Sequence, residues 1–115
     1  MSSRLDWIAN LEGLAETARY SPKRLASACR VSLRQLERFT IRTFGRTPHR
    51  WLYELRMQRA LELVRDRTSL KETGFMLGYK DVAHFSHDFK KFFGIPPGRA
   101  QFVVIPPLFP PERPF

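Results

Sequence analysis

Cysteine is almost missing from this chain. Cys29 is the only one in 115 residues, which excludes an internal disulfide and fits a reducing compartment. No apolar run approaches the ~18 residues a membrane-crossing helix needs. The N-terminal stretch MSSRLDWIANLEG has neither an apolar segment nor a cleavage pattern, so no secretory leader is read and the cytoplasm is the expected compartment. Histidine is scarce as well: His49, His84 and His87 are the only three. His84, His87 and Asp88 stand at i, i+3 and i+4, and two imidazoles so spaced can share a metal. No fourth ligand follows, so no metal and no other cofactor is expected. Nor does any nucleophile stand with a base and an orienting acid, so the chain is not expected to be an enzyme.

Negative charge is the next shortage. Eleven Asp and Glu face twenty Lys and Arg, for a net charge of +9. Residues 19–50 hold nine of the basic residues and a single acid, Glu37. A solubilising surface scatters its charge, whereas one basic block is the footprint expected of a polyanion binder.

What is present is helical periodicity. Ser3 with Asp6 reads as a capping box for a first helix carrying Leu5, Ile8, Leu11 and Leu14, with Gly13 weakening its end. Ser21-Pro22 opens a short helix to about Cys29, which shares a face with Leu25 and reads as a small buried hydrophobe. Arg30-Val31 make a tight turn, Ser32 caps the next helix, and Gly45 stops it. Thr47-Pro48 starts a long helix to about Arg65, apolar around most of its circumference and therefore packed on more than one side. Arg56 interrupts that arc and is expected to pair with an acid or reach a phosphate. Ser69 and Glu72 open a helix to Gly78, Asp81 caps another that ends at Gly94, and IPPG begins a last short turn to about Phe102. The remaining VVIPPLFPPERPF holds five of the nine prolines and reads as a polyproline-like tail, 103–115, either disordered, packed back on the domain, or docking a partner.

The pattern of short helix, tight turn and longer capped helix occurs twice, the longer helices starting at Ser32 and Asp81. That is the helix-turn-helix arrangement, whose second helix lies in a major groove. On a helical wheel Leu33, Leu36, Phe39, Thr40 and Phe44 share one face, and Arg34, Gln35, Arg38 and Arg42 share the other. One face anchors the helix; the other presents planar donor forks to guanine edges or phosphates. Glu37, at the border, accepts from a cytosine amine or orients an arginine. In the second long helix Val82, Phe85, Phe89, Phe92 and Phe93 form the core face. Ala83, His87, Lys90 and Lys91 face outward, with Ser86 at the edge. Ala83 suits a thymine methyl, Ser86 and His87 suit hydrogen bonds, and the lysines suit phosphates.

The segments LASACRVSLRQLERF, FGRTPHRWLYELRMQRALELV and GYKDVAHFSHDFKKFFGIPPGR, within residues 5–102, resemble the AraC/XylS-type DNA-binding domain of bacterial transcription regulators. The resemblance implies an all-α fold of about seven helices: two helix-turn-helix units, about 22–45 and 69–94, joined by a long helix, about 48–65, in one domain, 1–102. It implies sequence-specific binding of double-stranded DNA through helices 32–44 and 82–93 in successive major grooves. Carried over by position, Arg34, Glu37 and Arg38 reach bases in the first unit, and Val82, Ala83, Ser86 and His87 in the second. Ser32, Gln35, Arg42, Lys90 and Lys91 are the expected phosphate contacts. The chain departs from the family pattern at Thr40, usually aromatic, at Thr73-Gly74, usually isoleucine-alanine, and at His87, often arginine. These departures and the lower charge make the second unit the weaker expected reader.

Members of that family usually carry a separate sensing or dimerisation domain. Either a monomer acting alone on DNA or a piece of a longer regulator is expected, with Met1 and the tail favouring the former. RNA polymerase is a further partner the resemblance brings in, with the tail as its point of contact. The rival expectation is an interaction protein that keeps the fold, binds DNA weakly and acts through its proline-rich tail.

Overall fold

The computed structural model describes residues 10–102. They form seven helices: α1 (Leu11–Thr17), α2 (Pro22–Ala28), α3 (Leu33–Phe44), α4 (Pro48–Arg65), α5 (Leu70–Met76), α6 (Val82–Phe93) and α7 (Pro97–Ala100). No strand occurs among the described residues. Most ends follow from single residues. The side chains of Ser21, Ser32, Thr47, Ser69 and Asp81 each accept from a first-turn backbone N–H, and Pro22 and Pro48 occupy the first helical position. Gly45 and Gly94 end α3 and α6 with φ of 73° and 82°, a left-handed conformation that costs glycine little.

The start of α1 differs from expectation. Ser3 and Asp6 lie outside the described residues. Asn10 caps α1 by accepting from the Gly13 N–H at 2.9 Å, and the helix runs on past Gly13 to Thr17. A Cβ at Gly13 would collide with the Asn10 side chain, so this glycine admits the cap rather than ending the helix.

Two cores form, strung along α4. The first gathers Ala15 and Ala18, Leu25, Ala26 and Cys29, Leu36 and Phe39, then Trp51 and Leu52. Phe44 is stacked on Trp51 with ring centroids 4.8 Å apart, pinning the end of α3 to α4. The second core takes Met57, Ala60, Leu63 and Val64 from the other half of α4, with Leu77, Tyr79, Phe85, Phe89 and Ala100. Burying one such Leu or Phe contributes about 1.5–3 kcal/mol, so α4 is anchored independently in each core. The helix rises about 27 Å over its 18 residues.

Candidate nucleic-acid interface

The Ser32 cap aims α3. Ser32 Oγ accepts from the Gln35 N–H at 3.0 Å, and Gln35 Oε1 accepts from the Ser32 N–H at 2.8 Å. Leu36, Phe39 and Thr40 then fasten the inner face of α3, all buried. Thr40, where the family pattern has an aromatic, hides its hydroxyl by donating to the Glu37 carbonyl at 3.2 Å. With that face fixed, Arg34, Glu37, Arg38 and Arg42 are exposed together on the opposite side. Among the described residues neither Arg34 nor Arg38 has a carboxylate partner. Arg42 lies 5.7 Å from the centroid of the Phe39 ring.

One detail of α3 departs from expectation. Leu33, assigned to the core face, is 44% exposed: at the first helical position its side chain points back past the start of the helix, away from the packed neighbours. Gln35, expected at phosphate, spends its side-chain oxygen on the capping box; its amide N–H groups are the donors a phosphate takes.

Helix α6 is pinned by Phe85 and Phe89, both fully buried. Ala83, His87, Lys90 and Lys91 are exposed, and Val82 and Ser86 are half-buried. Asp88 is occupied: its carboxylate accepts from the Tyr79 hydroxyl at 2.8 Å and lies 3.8 Å from His84, and its carbonyl accepts from Tyr53 at 3.2 Å. That arrangement ties α6 to α4 and to the α5–α6 turn.

The basic block of residues 19–50 is not one surface. Arg46 and Arg50 both grip Glu54, at 2.6 and 3.3 Å, and that carboxylate is nearly buried. Charge counting along the chain stops short of Glu54, so the clamp was missed; acids four and eight residues from arginines across a helix start are its only signal. Arg56 meets no carboxylate among the described residues: Nε donates to the Leu77 carbonyl at 3.0 Å, and the guanidinium of this half-buried side chain lies 3.8 Å from the centroid of the Tyr79 ring.

Two helix-turn-helix units, each showing one polar helix face, define a DNA-binding regulator fold. The comparisons agree. Residues 14–101 match a family model described as a helix-turn-helix domain. The chain is 37% identical over 68 residues, 58% of its own length and 21% of the other's, to the HTH-type transcriptional regulator ArgR of Pseudomonas aeruginosa. A solved AraC-type transcriptional regulator from Chromobacterium violaceum superposes with a TM-score of 0.67 at 29% identity, covering 80% of this chain and 86% of that one. The C-terminal domain of the response regulator yesN from Fusobacterium nucleatum shares the fold, with a TM-score of 0.71 at 24% identity over 87% of this chain and 99% of that one. The chain belongs to the AraC-type helix-turn-helix family, whose members are transcription regulators and not enzymes. It spans about a fifth of the length of the curated relatives it matches. No helix among the described residues is long and apolar enough to cross a membrane.

Proposed function

We propose that the chain binds double-stranded DNA sequence-specifically, as a monomer, with α3 and α6 in successive major grooves. The observation that carries this reading is the pair Arg34 and Arg38, exposed and unopposed by any carboxylate among the described residues, on a helix whose other face is locked in a core. Arg34, Glu37 and Arg38 read bases in the first unit, and Val82, Ala83, Ser86 and His87 in the second. Ser32, Arg42, Lys90 and Lys91 hold phosphates, with the Gln35 amide group beside them. The described residues extend 45 Å along their longest axis, enough to span one duplex turn of ~34 Å. The first unit supplies most of the affinity and sequence reading; the second adds backbone contacts and a modest preference. Such a regulator works where the chromosome is, in the cytoplasm of a bacterium, with RNA polymerase as a further partner there. Residues 1–102 form the DNA-binding domain and 103–115 its tail.

Selection of binding sites from random duplexes tests this. The expected outcome is a motif of two half-sites about one helical turn apart, the stronger one rich in guanine. Recovery of no motif contradicts the proposal.

A further inference from the structure

The two cores meet at one short elbow. Between α1 and α2, Arg19 and Tyr20 both adopt left-handed backbone, with φ of 58° and 59°. Side chains other than glycine seldom do so, and strain of this kind persists only where the surroundings hold it. Its return is in the side chains. Tyr20 packs against both cores. Arg19 reaches into the second unit, donating to the Phe75 carbonyl at 3.4 Å and lying 5.9 Å from the centroid of the Phe75 ring. Arg56 arrives at the same place from α4. Besides its bond to Leu77 and its stacking on Tyr79, its guanidinium lies 5.9 Å from the Tyr20 ring. Both arginines flank Gly78, whose φ of 87° makes the turn between α5 and α6. Apart from those of Tyr20, these contacts fall on residues 75–79, the end of α5 and the turn that leads into α6.

We propose that Arg19 and Arg56 clamp the second helix-turn-helix unit at a fixed angle to the first, and so set the half-site separation that the chain accepts on DNA. This rests on the reading of α3 and α6 as the DNA-reading helices. Helix α4 fixes the distance between the cores and holds α5–α6 through the second core and the Tyr53–Asp88 bond; the elbow adds the contacts that reach the second unit from the α1–α2 connection of the first. Arginine suits the task because one guanidinium can donate to a carbonyl from its edge while its plane stacks on a ring; a lysine cannot do both. Arg19 and Arg56 are thus positioning residues that touch no base.

The test uses the full chain and two variants, Arg19→Gly and Arg56→Met. Glycine tolerates the left-handed backbone, so Arg19→Gly keeps the elbow and removes only the side chain. Binding is measured by fluorescence anisotropy on the selected duplex, on a single half-site, and on duplexes with the half-sites shifted by one or two base pairs. The unaltered chain should prefer its own spacing by about tenfold, and the variants by less than about threefold, with single half-site affinity unchanged. Arg56→Lys should behave as Arg56→Met. A spacing preference that stays at about tenfold in both folded variants overturns the clamp. A second measurement needs no DNA. Nitroxides at Ser27→Cys and Lys80→Cys, in a Cys29→Ala background, should give one narrow distance in the parent and a broadened one in both variants. Should the parent ignore duplexes, the reading of α3 and α6 fails, and the label distances still decide the clamp: equally narrow distributions in the variants overturn it.

Discussion

At the scale of the residue, the second unit carries two avoidable costs side by side. Thr73 is fully buried, and its hydroxyl finds no partner among the described residues. Gly74 sits inside α5, where a Cβ would meet Phe85 at 3.4 Å, an ordinary contact. An unsatisfied buried hydroxyl costs about 1–3 kcal/mol, and glycine in a helix about 1 kcal/mol relative to alanine. Thr73→Val and Gly74→Ala should therefore each stabilise the chain by about 1 kcal/mol in urea unfolding, with little change in the dependence on urea. Tyrosine titration supplies a second prediction. Burial first, then Glu16, pushes the Tyr20 hydroxyl from its ordinary 10.0 up to about 12, and burial also raises Tyr79, against the pull of Arg56. The folded state holds these protons more tightly than the unfolded chain. The resulting stability is complete below the ordinary tyrosine value of 10.0 and is lost as pH rises through about 12. Thermal melts should show Tm falling across that window, and Tyr20→Phe should flatten the fall.

At the scale of the element, α3 and α6 are built alike but equipped differently. Each is 12 residues long, capped at its start by a side chain and stopped by a left-handed glycine. Helix α3 turns out two arginines with no carboxylate partner among the described residues, whereas α6 turns out His87 and two lysines. A bidentate arginine–guanine pair is worth about 1–3 kcal/mol of discrimination. Arg38→Ala should therefore weaken binding to a selected site more than His87→Ala does; an equal or larger loss for His87→Ala would reverse the ranking of the two units. These elements were the most legible part of the sequence, because caps, prolines and stop glycines act within four residues of where they stand. The start of α1 was less so, since Asn10 caps it only because Gly13 leaves room, a steric fact that periodicity does not carry. Leu33 was misread for a related reason: a wheel assigns faces but ignores that the first residue of a helix has no neighbour behind it.

At the scale of the whole molecule, what escaped the sequence is what joins distant residues. Arg56 bonds to a carbonyl 21 positions away, and Arg19 to one 56 away. No local pattern marks such partners, and a charge tally counts these arginines with those that face outward. The same tally overstated the free charge, because Glu54 draws Arg46 and Arg50 together. What remains is a body 45 Å long over the described residues, with Arg34 and Arg38 of α3 unopposed by any carboxylate among them and Lys90 and Lys91 exposed on α6. The most direct measurement is the salt dependence of duplex affinity. If about six phosphates are neutralised, log K should fall against log salt with a slope near −5. A slope indistinguishable from zero would contradict the outward arginines as a nucleic-acid surface, whatever the fold.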